Sequence, residues 1–337
     1  MIKHNPFIVA EISANHCGSI SMAKKLIKSA KKNGADAVKL QTFTESGMTI
    51  NSKKKIFTIS SGLWKGYSYW ELYKKAKTPY AWHKELFKFA KQNKIICFST
   101  PFDLKSLKLL ENLKCPIYKI ASFEITDLNL IKEVAKTKKP IIISTGVSQM
   151  DEIKRAFDTA KKFGAKDITL LYCVSSYPAK YEDFNLQNIK ILKKKFKCRV
   201  GLSDHSKDNK IAFLASAMGA EVFEKHIALE NQKEGLDIEF SLRGSELKKY
   251  KDDLLLSNKI IGQNNFVRKK NELKNLIYRR SIFVIKDIDK GEKFTVKNVQ
   301  ALRPNIGLSP IYFEKLIGKK SKRKIRYGSS IKKTDIK

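Results

Sequence analysis

Cysteine is scarce: five residues in 337, scattered at positions 17, 97, 115, 173 and 198, odd in number and without a C-x-x-C pair. That excludes a disulfide frame and points to reduced thiols in a cytoplasm. No apolar run approaches the ~20 residues that span a bilayer, so no membrane partner is expected. Met1-Ile-Lys-His-Asn-Pro passes within a few residues into an apolar run, so no signal peptide is expected either. Low-complexity tracts are missing from a composition that is 42% hydrophobic, as in a soluble globular protein. Arginine is scarce too, although the net charge is +35. A nucleic-acid site would concentrate cations on one face among aromatics. Here lysine is spread over nearly every segment, and the densest runs, Lys193–Lys195 and Lys319–Lys324, read as solvated surface. No nucleic-acid partner is expected, and a basic nucleic-acid-binding protein is the disfavoured alternative class. The charge instead favours anionic small-molecule substrates.

What is present is a repeating pattern. Apolar runs of strand length occur at Phe7–Ala10, Ala37–Leu40, Ile95–Phe98, Ile117–Ile120, Ile141–Ile143, Ile168–Tyr172, Val200–Leu202 and Val222–Phe223. Between them, Met22–Asn33, Ala81–Gln92, Leu104–Asn112, Leu128–Lys136, Met150–Lys162, Leu186–Lys195 and Asn209–Met218 carry helical spacing. Eight strands alternating with helices over about 250 residues match a (β/α)8 TIM barrel. The competitor is a doubly wound open sheet, but no G-x-G-x-x-G follows the first strand.

The strand ends carry the chemistry. In order they offer Glu11 with Asn15 and His16, Lys39 with Gln41, Ser99 with Thr100, and Lys119 with Ser122 and Glu124. Ser144 with Thr145, Cys173 with Ser175 and Tyr177, Ser203 with His205, and Lys225 with His226 complete the set. One polar strand end marks a turn; eight describe a ring of donors around one mouth, where barrel active sites lie. Lys39 and Lys119 sit inside apolar strands, so each must meet an anion: a ligand, or a carboxylate such as Glu11 or Glu124. Two cations among hydroxyls suit a phosphate or carboxylate, and the surplus suits a ligand with both, such as phosphoenolpyruvate. Gly201-Leu-Ser-Asp-His205 and Glu224-Lys-His226 close successive parallel strands of one βαβ unit, which brings two imidazoles to one edge. Such a pair is either structural or a site for Mn²⁺, Zn²⁺ or Fe²⁺ in preference to Ca²⁺.

A long insertion runs from Phe43 to about Pro79 and holds Trp64, Tyr67, Tyr69, Trp70 and Tyr73. Connections of this length are usually lids or specificity loops, though such aromatics can also simply pack a helical hairpin. Three segments follow: a barrel over 1–261, a linker over 262–280 (most evident at Gly262–Leu276), and a small module over 281–337. In the module, short strand-like runs and turn residues without helical spacing predict a β-rich unit. Arg303-Pro304 would present a guanidinium on its surface.

The order Ala10-Glu-Ile-Ser-Ala-Asn-His16, Val38-Lys-Leu-Gln-Thr-Phe43, Phe98-Ser-Thr-Pro-Phe-Asp103, Lys119-Ile-Ala-Ser122, Ser144-Thr-Gly146, Gly201–His205, Glu224–His226 and Leu302-Arg-Pro304 resembles the sialic acid synthases end to end. These are barrels followed by an antifreeze-like (SAF) domain. Phe123-Glu-Ile, Leu63-Trp-Lys-Gly and Ser175-Ser-Tyr-Pro-Ala179 look most like the pseudaminic acid synthase branch, with neuraminate and legionaminate synthases as alternatives.

The resemblance implies condensation of phosphoenolpyruvate with open-chain 2,4-diacetamido-2,4,6-trideoxy-β-L-altropyranose, releasing phosphate by C–O cleavage. It implies a divalent metal, Mn²⁺ with Mg²⁺ or Co²⁺ as substitutes, on His205 and His226, and Glu11 as the group acting on water. It assigns Lys39, Thr100, Lys119, Ser122, Ser144, Ser175 and Ser203 to phosphoenolpyruvate. Gln41, Glu124, Tyr177, Asp237 and Arg303 fall on the sugar side. Ser175 stands where some neuraminate synthases carry Asn. The family also implies a homodimer with exchanged C-terminal modules.

Overall fold

In a computed structural model the described residues are 5–262 and 265–337, and the chain divides into two units, Met1–Gly262 and Gln263–Lys337. In the first unit eight strands alternate with helices. The strands are β1 (Phe7–Glu11), β2 (Ala37–Thr42), β3 (Ile96–Pro101), β4 (Tyr118–Ile120), β5 (Ile141–Ser144), β6 (Ile168–Cys173), β7 (Arg199–Asp204) and β8 (Val222–Ala228). All pair in parallel with their sequence neighbours, and β8 pairs back onto β1 with Phe7 opposite Val222 and Glu11 opposite His226. The sheet is therefore closed, and the open-sheet alternative falls. A short β9 (Leu242–Arg243) adds to the end of β8.

The helices are α1 (Ile20–Lys32), α2 (Glu45–Met48), α3 (Tyr69–Ala76), α4 (Tyr80–Gln92), α5 (Leu104–Asn112), α6 (Leu128–Lys136), α7 (Met150–Lys162), α8 (Gln187–Phe196), α9 (Lys210–Ala217) and α10 (Glu246–Ile261). Side-chain acceptors fix several starts: Ser19 takes the Met22 N–H, Asp103 the Ser106 N–H and Asp127 the Leu130 N–H. The helices that follow barrel strands bury an apolar stripe, such as Leu26, Ile27 and Ala30 on α1, against strands buried on both faces. Gly201 is required where β7 passes β8, because a Cβ there would run into the Val222 carbonyl.

Several strands run further toward the mouth than their apolar cores predict. Apolar runs mark only the part buried on both faces; ladder hydrogen bonds continue into the polar residues beyond. Thus β8, expected over Val222–Phe223, extends to Ala228 and carries His226 inside the strand. The Phe43–Pro79 insertion is neither a simple hairpin nor a bare loop. It contains α2, a short 3-10 turn at Lys55–Phe57, and α3, which starts with a Ser68–Glu71 capping box.

In the second unit the expected linker 262–280 is partly helical. It holds α11 (Lys270–Leu273) and a 3-10 segment, Lys274–Tyr278, while residues 263 and 264 lie outside the described set. Beyond it, β10 (Ser281–Val284) and β11 (Val299–Leu302) form an antiparallel pair. Isolated bridges such as Ile288–Ile325 and Phe283–Ser330 extend the β texture. The module, expected to be β-rich without helical spacing, also contains a helical turn, α12 (Phe313–Leu316). Ile282, Val284, Ile288, Phe294, Val299, Leu316, Ile325 and Ile331 form this unit's own core.

Candidate active site

The carboxyl ends of the barrel strands bring most of the candidate residues to one place. Lys39 on β2 pairs with Glu11 on β1 and donates to Thr100 Oγ1 on β3 at 3.2 Å. Lys119 on β4 reaches across the barrel to Glu224 Oε1 on β8 at 3.1 Å, and Lys39 Nζ lies 3.7 Å from the same oxygen. Ser203 Oγ on β7 donates to Glu224 Oε1 at 3.4 Å. The carboxylate alternative for the two lysines is therefore realised, with one change of partner. Glu11 holds Lys39, but Glu224, not Glu124, holds Lys119.

Burial lowers the Lys39 pKa, yet Glu11 and Glu224 together outweigh it and raise the value. Glu224 is lowered because Lys119 and Lys39 overcome its burial. Burial pushes Glu11 up to about 6, with Lys39 opposing. Lys119 is lowered by burial despite Glu224.

Two serines meet at Gly146. Ser122 Oγ accepts the Gly146 N–H at 3.1 Å, and a Cβ on Gly146 would strike the hydroxyls of Ser122 and Ser175. The Ser144 hydroxyl is buried without a hydrogen-bond partner, as are Glu124 Oε2, Glu224 Oε2 and His226 Nδ1. Buried polar atoms without partners are rare in folded chains and call for an explanation such as a bound group.

The two histidines stand side by side with ring centroids 5.5 Å apart. His205 Nδ1 points at the Val174 carbonyl, 2.9 Å away, which leaves Nε2 free. Burial lowers the His205 pKa, but Cys173 (Sγ 3.8 Å from Nδ1) and the Val174 carbonyl reverse the shift and raise it. His226 is pushed well below its ordinary value by burial and by the positive charges around it. Its Nδ1 lies 3.7 Å from Asp237 Oδ2. Among the described residues no group of three or more His, Cys, Asp and Glu side chains forms a ready-made ion cage. Two buried imidazoles, one with Nε2 free and the other with an orphaned Nδ1, nevertheless fit an open metal site, with the remaining positions left to substrate or water.

Beside the histidines lies a cavity of 440 Å³. Gln41, Glu124, Ser175, Tyr177, His226 and Asp237 supply its polar lining. Its apolar wall comes largely from the insertion, with Met48, Ile59, Trp64, Tyr69, Leu72, Tyr73 and Ala76, and from Phe43, Phe102, Phe123 and Phe240. Trp64 Nε1 donates to the Leu236 carbonyl at 2.9 Å, and its ring lies 5.5 Å from Tyr177. Asp237 takes the Ala14 N–H at 3.3 Å, and Asn15 holds the Asp237 backbone N–H through Oδ1. Burial raises the Asp237 pKa and pushes Glu124 up to about 7. Arg303 is in the second unit, exposed, just past β11.

The family is decided by comparison with known proteins. The NeuB family pattern matches residues 26–266, and the SAF domain pattern matches 279–337. The chain belongs to the NeuB family. It is 43% identical to the pseudaminic acid synthase of Campylobacter jejuni over 330 residues, covering 98% of this chain and 96% of that protein. It is 42% identical to the pseudaminic acid synthase of Helicobacter pylori, covering 98% of each. The crystal structure of an N-acetylneuraminic acid synthetase from Leptospira borgpetersenii, in complex with citrate, superposes with a TM-score of 0.73 at 31% identity. That match covers 82% of this chain and 92% of the other. Like these NeuB family relatives, the protein is an enzyme, with a closed barrel and a SAF domain.

Glu224 is a site residue not singled out by sequence, although it lies in the tripeptide Glu224-Lys-His226. The signal was available: residues two apart in a strand share a face, so Glu224 must point the same way as His226. The roles of Asn15 and Trp64 as supports for the β8–α10 loop had no such signal, because their partners lie far away in the chain.

Proposed function

We propose that the protein is a pseudaminic acid synthase. It condenses phosphoenolpyruvate with open-chain 2,4-diacetamido-2,4,6-trideoxy-β-L-altropyranose to give pseudaminic acid and phosphate. The observation that carries this reading is the pairing of two buried lysines and two adjacent histidines at one barrel mouth beside a cavity with an aromatic wall. His205 and His226 would hold a divalent ion, for which we take Mn²⁺. When bound, such an ion supplies Lewis-acid polarisation of a carbonyl oxygen.

The chain's own residues do the rest. Lys39 and Lys119, with Thr100, Ser122, Ser144, Ser175 and Ser203, hold the phosphate and carboxylate of phosphoenolpyruvate; the unpartnered Ser144 hydroxyl is a donor ready for an anion oxygen. Gln41, Glu124, Tyr177 and Asp237 hydrogen-bond the sugar and keep its aldehyde carbon facing the enol carbon. As that bond forms, positive charge develops at the phosphate-bearing carbon, which the Glu224 and Glu11 carboxylates beside Lys39 and Lys119 would stabilise. Water adds there and Glu11 takes one of its protons, which goes on to the alkoxide left from the aldehyde; the hemiketal phosphate then breaks its C–O bond to phosphate, and its hydroxyl proton leaves with the phosphate as the keto group forms.

Five free cysteines fit a reducing compartment, and we assign the protein to the cytoplasm. We assign it to a homodimer in which the C-terminal unit of one copy caps the barrel of the other and brings Arg303 to the sugar side. The deciding experiment incubates the enzyme with phosphoenolpyruvate, Mn²⁺ and, in turn, the diacetamido altrose, the legionaminate precursor and N-acetylmannosamine, and measures phosphate. Fastest release with the altrose derivative is expected; fastest release with either other sugar overturns the assignment.

A further inference from the structure

The face of the sheet turned away from the site carries a charge pair of its own. Strand alternation sends Glu224 and His226 to the inside of the barrel and Phe223 and Lys225 to the helix side. Phe223 packs edge-to-face on Tyr250 of α10, with centroids 6.4 Å apart, which identifies that side. Lys225 stands in direct register with Asp204 of β7, and Nζ lies 3.2 Å from Oδ2. Both side chains are 0% exposed. This is where a barrel normally packs apolar side chains against its helices.

A buried ion pair seldom stabilises more than well-packed apolar residues would, so its presence here asks for another reason. The pair's remaining contacts all converge on Ser206. Asp204 Oδ1 accepts both the Ser206 N–H, at 2.9 Å, and the Ser206 hydroxyl, at 2.6 Å. Lys225 Nζ donates to the Ser206 carbonyl. The residue directly after His205 is thus held through its N–H, hydroxyl and carbonyl by the residues directly before His205 and directly before His226. On the other side, the His205 carbonyl accepts the Ala179 N–H at 3.0 Å and its Nδ1 faces Val174.

We infer that Asp204 and Lys225 are positioning residues that set the spacing and orientation of His205 and His226. The pair ties the end of β7 to β8 one residue short of each imidazole, and so fixes the backbone from which both rings project. This inference rests on the proposed metal role of the two histidines. Groups that orient metal ligands typically change metal affinity by about 10–100-fold when removed.

The test uses the full-length protein and two double variants, Asp204→Leu/Lys225→Met and Asp204→Asn/Lys225→Gln. Each removes both charges together and so leaves no unpaired buried charge. Mn²⁺ alone is titrated by calorimetry without substrate, alongside thermal melting and steady-state kinetics. The expected result is a cooperative melt, Mn²⁺ affinity weaker by about tenfold or more, and lower kcat. The KM for phosphoenolpyruvate should stay within about twofold, since Lys39 and Lys119 are untouched. Wild-type Mn²⁺ affinity in either folded double variant overturns the inference and makes the pair merely structural. His205→Ala is the control: it must lose Mn²⁺ binding. If it binds normally, the metal role of the histidines fails instead, and the failure is traced to that reading.

Discussion

Single side chains at the mouth carry opposite electrostatic demands. Carboxylates face both lysines and raise Lys39, while burial still lowers Lys119; Glu124 has one buried oxygen without a partner, and burial pushes it up to about 7. In the folded chain Glu124 therefore takes up a proton at higher pH than in the unfolded chain, where its value is 4.5. Folding stability gains from that proton as pH falls from about 7 toward 4.5, and the ionised form costs stability above that window. Glu124→Gln should thus be more stable than wild type at pH 8, by about 1–3 kcal/mol, and equal to it near pH 4.5. Denaturant melts at the two pH values check this; an identical difference at both would remove Glu124 as the titrating group. Glu11→Gln should lower kcat by about 100-fold or more while changing the KM for phosphoenolpyruvate little, read by steady-state phosphate release. His205→Ala and His226→Ala should each abolish turnover, as should a chelator, with the folded state intact by circular dichroism. Full activity after chelation would make both histidines structural.

Among the elements, the insertion between β2 and α4 has the largest consequence. Its α2 and α3 supply the apolar wall of the cavity, and Trp64 ties it to the loop after β8. Trp64→Phe keeps an aromatic ring against Tyr177 but loses the donor to Leu236. The expected outcome is a rise of about fivefold in the KM for the amino sugar, the worth of one hydrogen bond, with the KM for phosphoenolpyruvate unchanged. Equal changes in both constants would argue against the insertion acting on the sugar alone. The same apolar wall bears on specificity: N-acetylmannosamine carries a hydroxyl where the preferred sugar is deoxy, and an apolar wall offers it no partner. The expected ratio of kcat/KM, measured with the two sugars side by side, favours the 6-deoxy diacetamido compound.

For the whole molecule, the question is how two units make one catalyst. The C-terminal unit has a core of its own but leaves Ile306, Ile311 and Tyr327 exposed. With exchanged modules, each site would combine His205 of one copy with Arg303 of the other. Arg303→Ala and His205→Ala homodimers should both be nearly inactive. Refolded together at random, they should recover about a quarter of wild-type activity, because half the dimers are mixed and each mixed dimer has one intact site. No recovery, with mixed dimers verified by differential tags, would place Arg303 at its own barrel and end the exchange.

Much of this architecture follows from the order of residues alone. Alternating apolar runs and helical stripes specify a (β/α)8 barrel because a parallel strand must be buried on both faces and returned by a helix. Polar residues at every strand end mark the mouth, since that is where burial stops. The two histidine motifs, one βαβ unit apart, announce their own proximity. What the order of residues could not decide is who meets whom across the barrel axis. Lys119 and Glu224 are 105 residues apart, and only closure of β8 onto β1 brings Glu224, in place of Glu124, to that lysine. Pairing of β7 with β8 puts Asp204 and Lys225 in register on the hidden face. The insertion's aromatics gain their role only when folded back over the loop after β8. Local spacing fixes the face a side chain takes; the partner it finds there depends on strand register and barrel closure, which are properties of the assembled sheet.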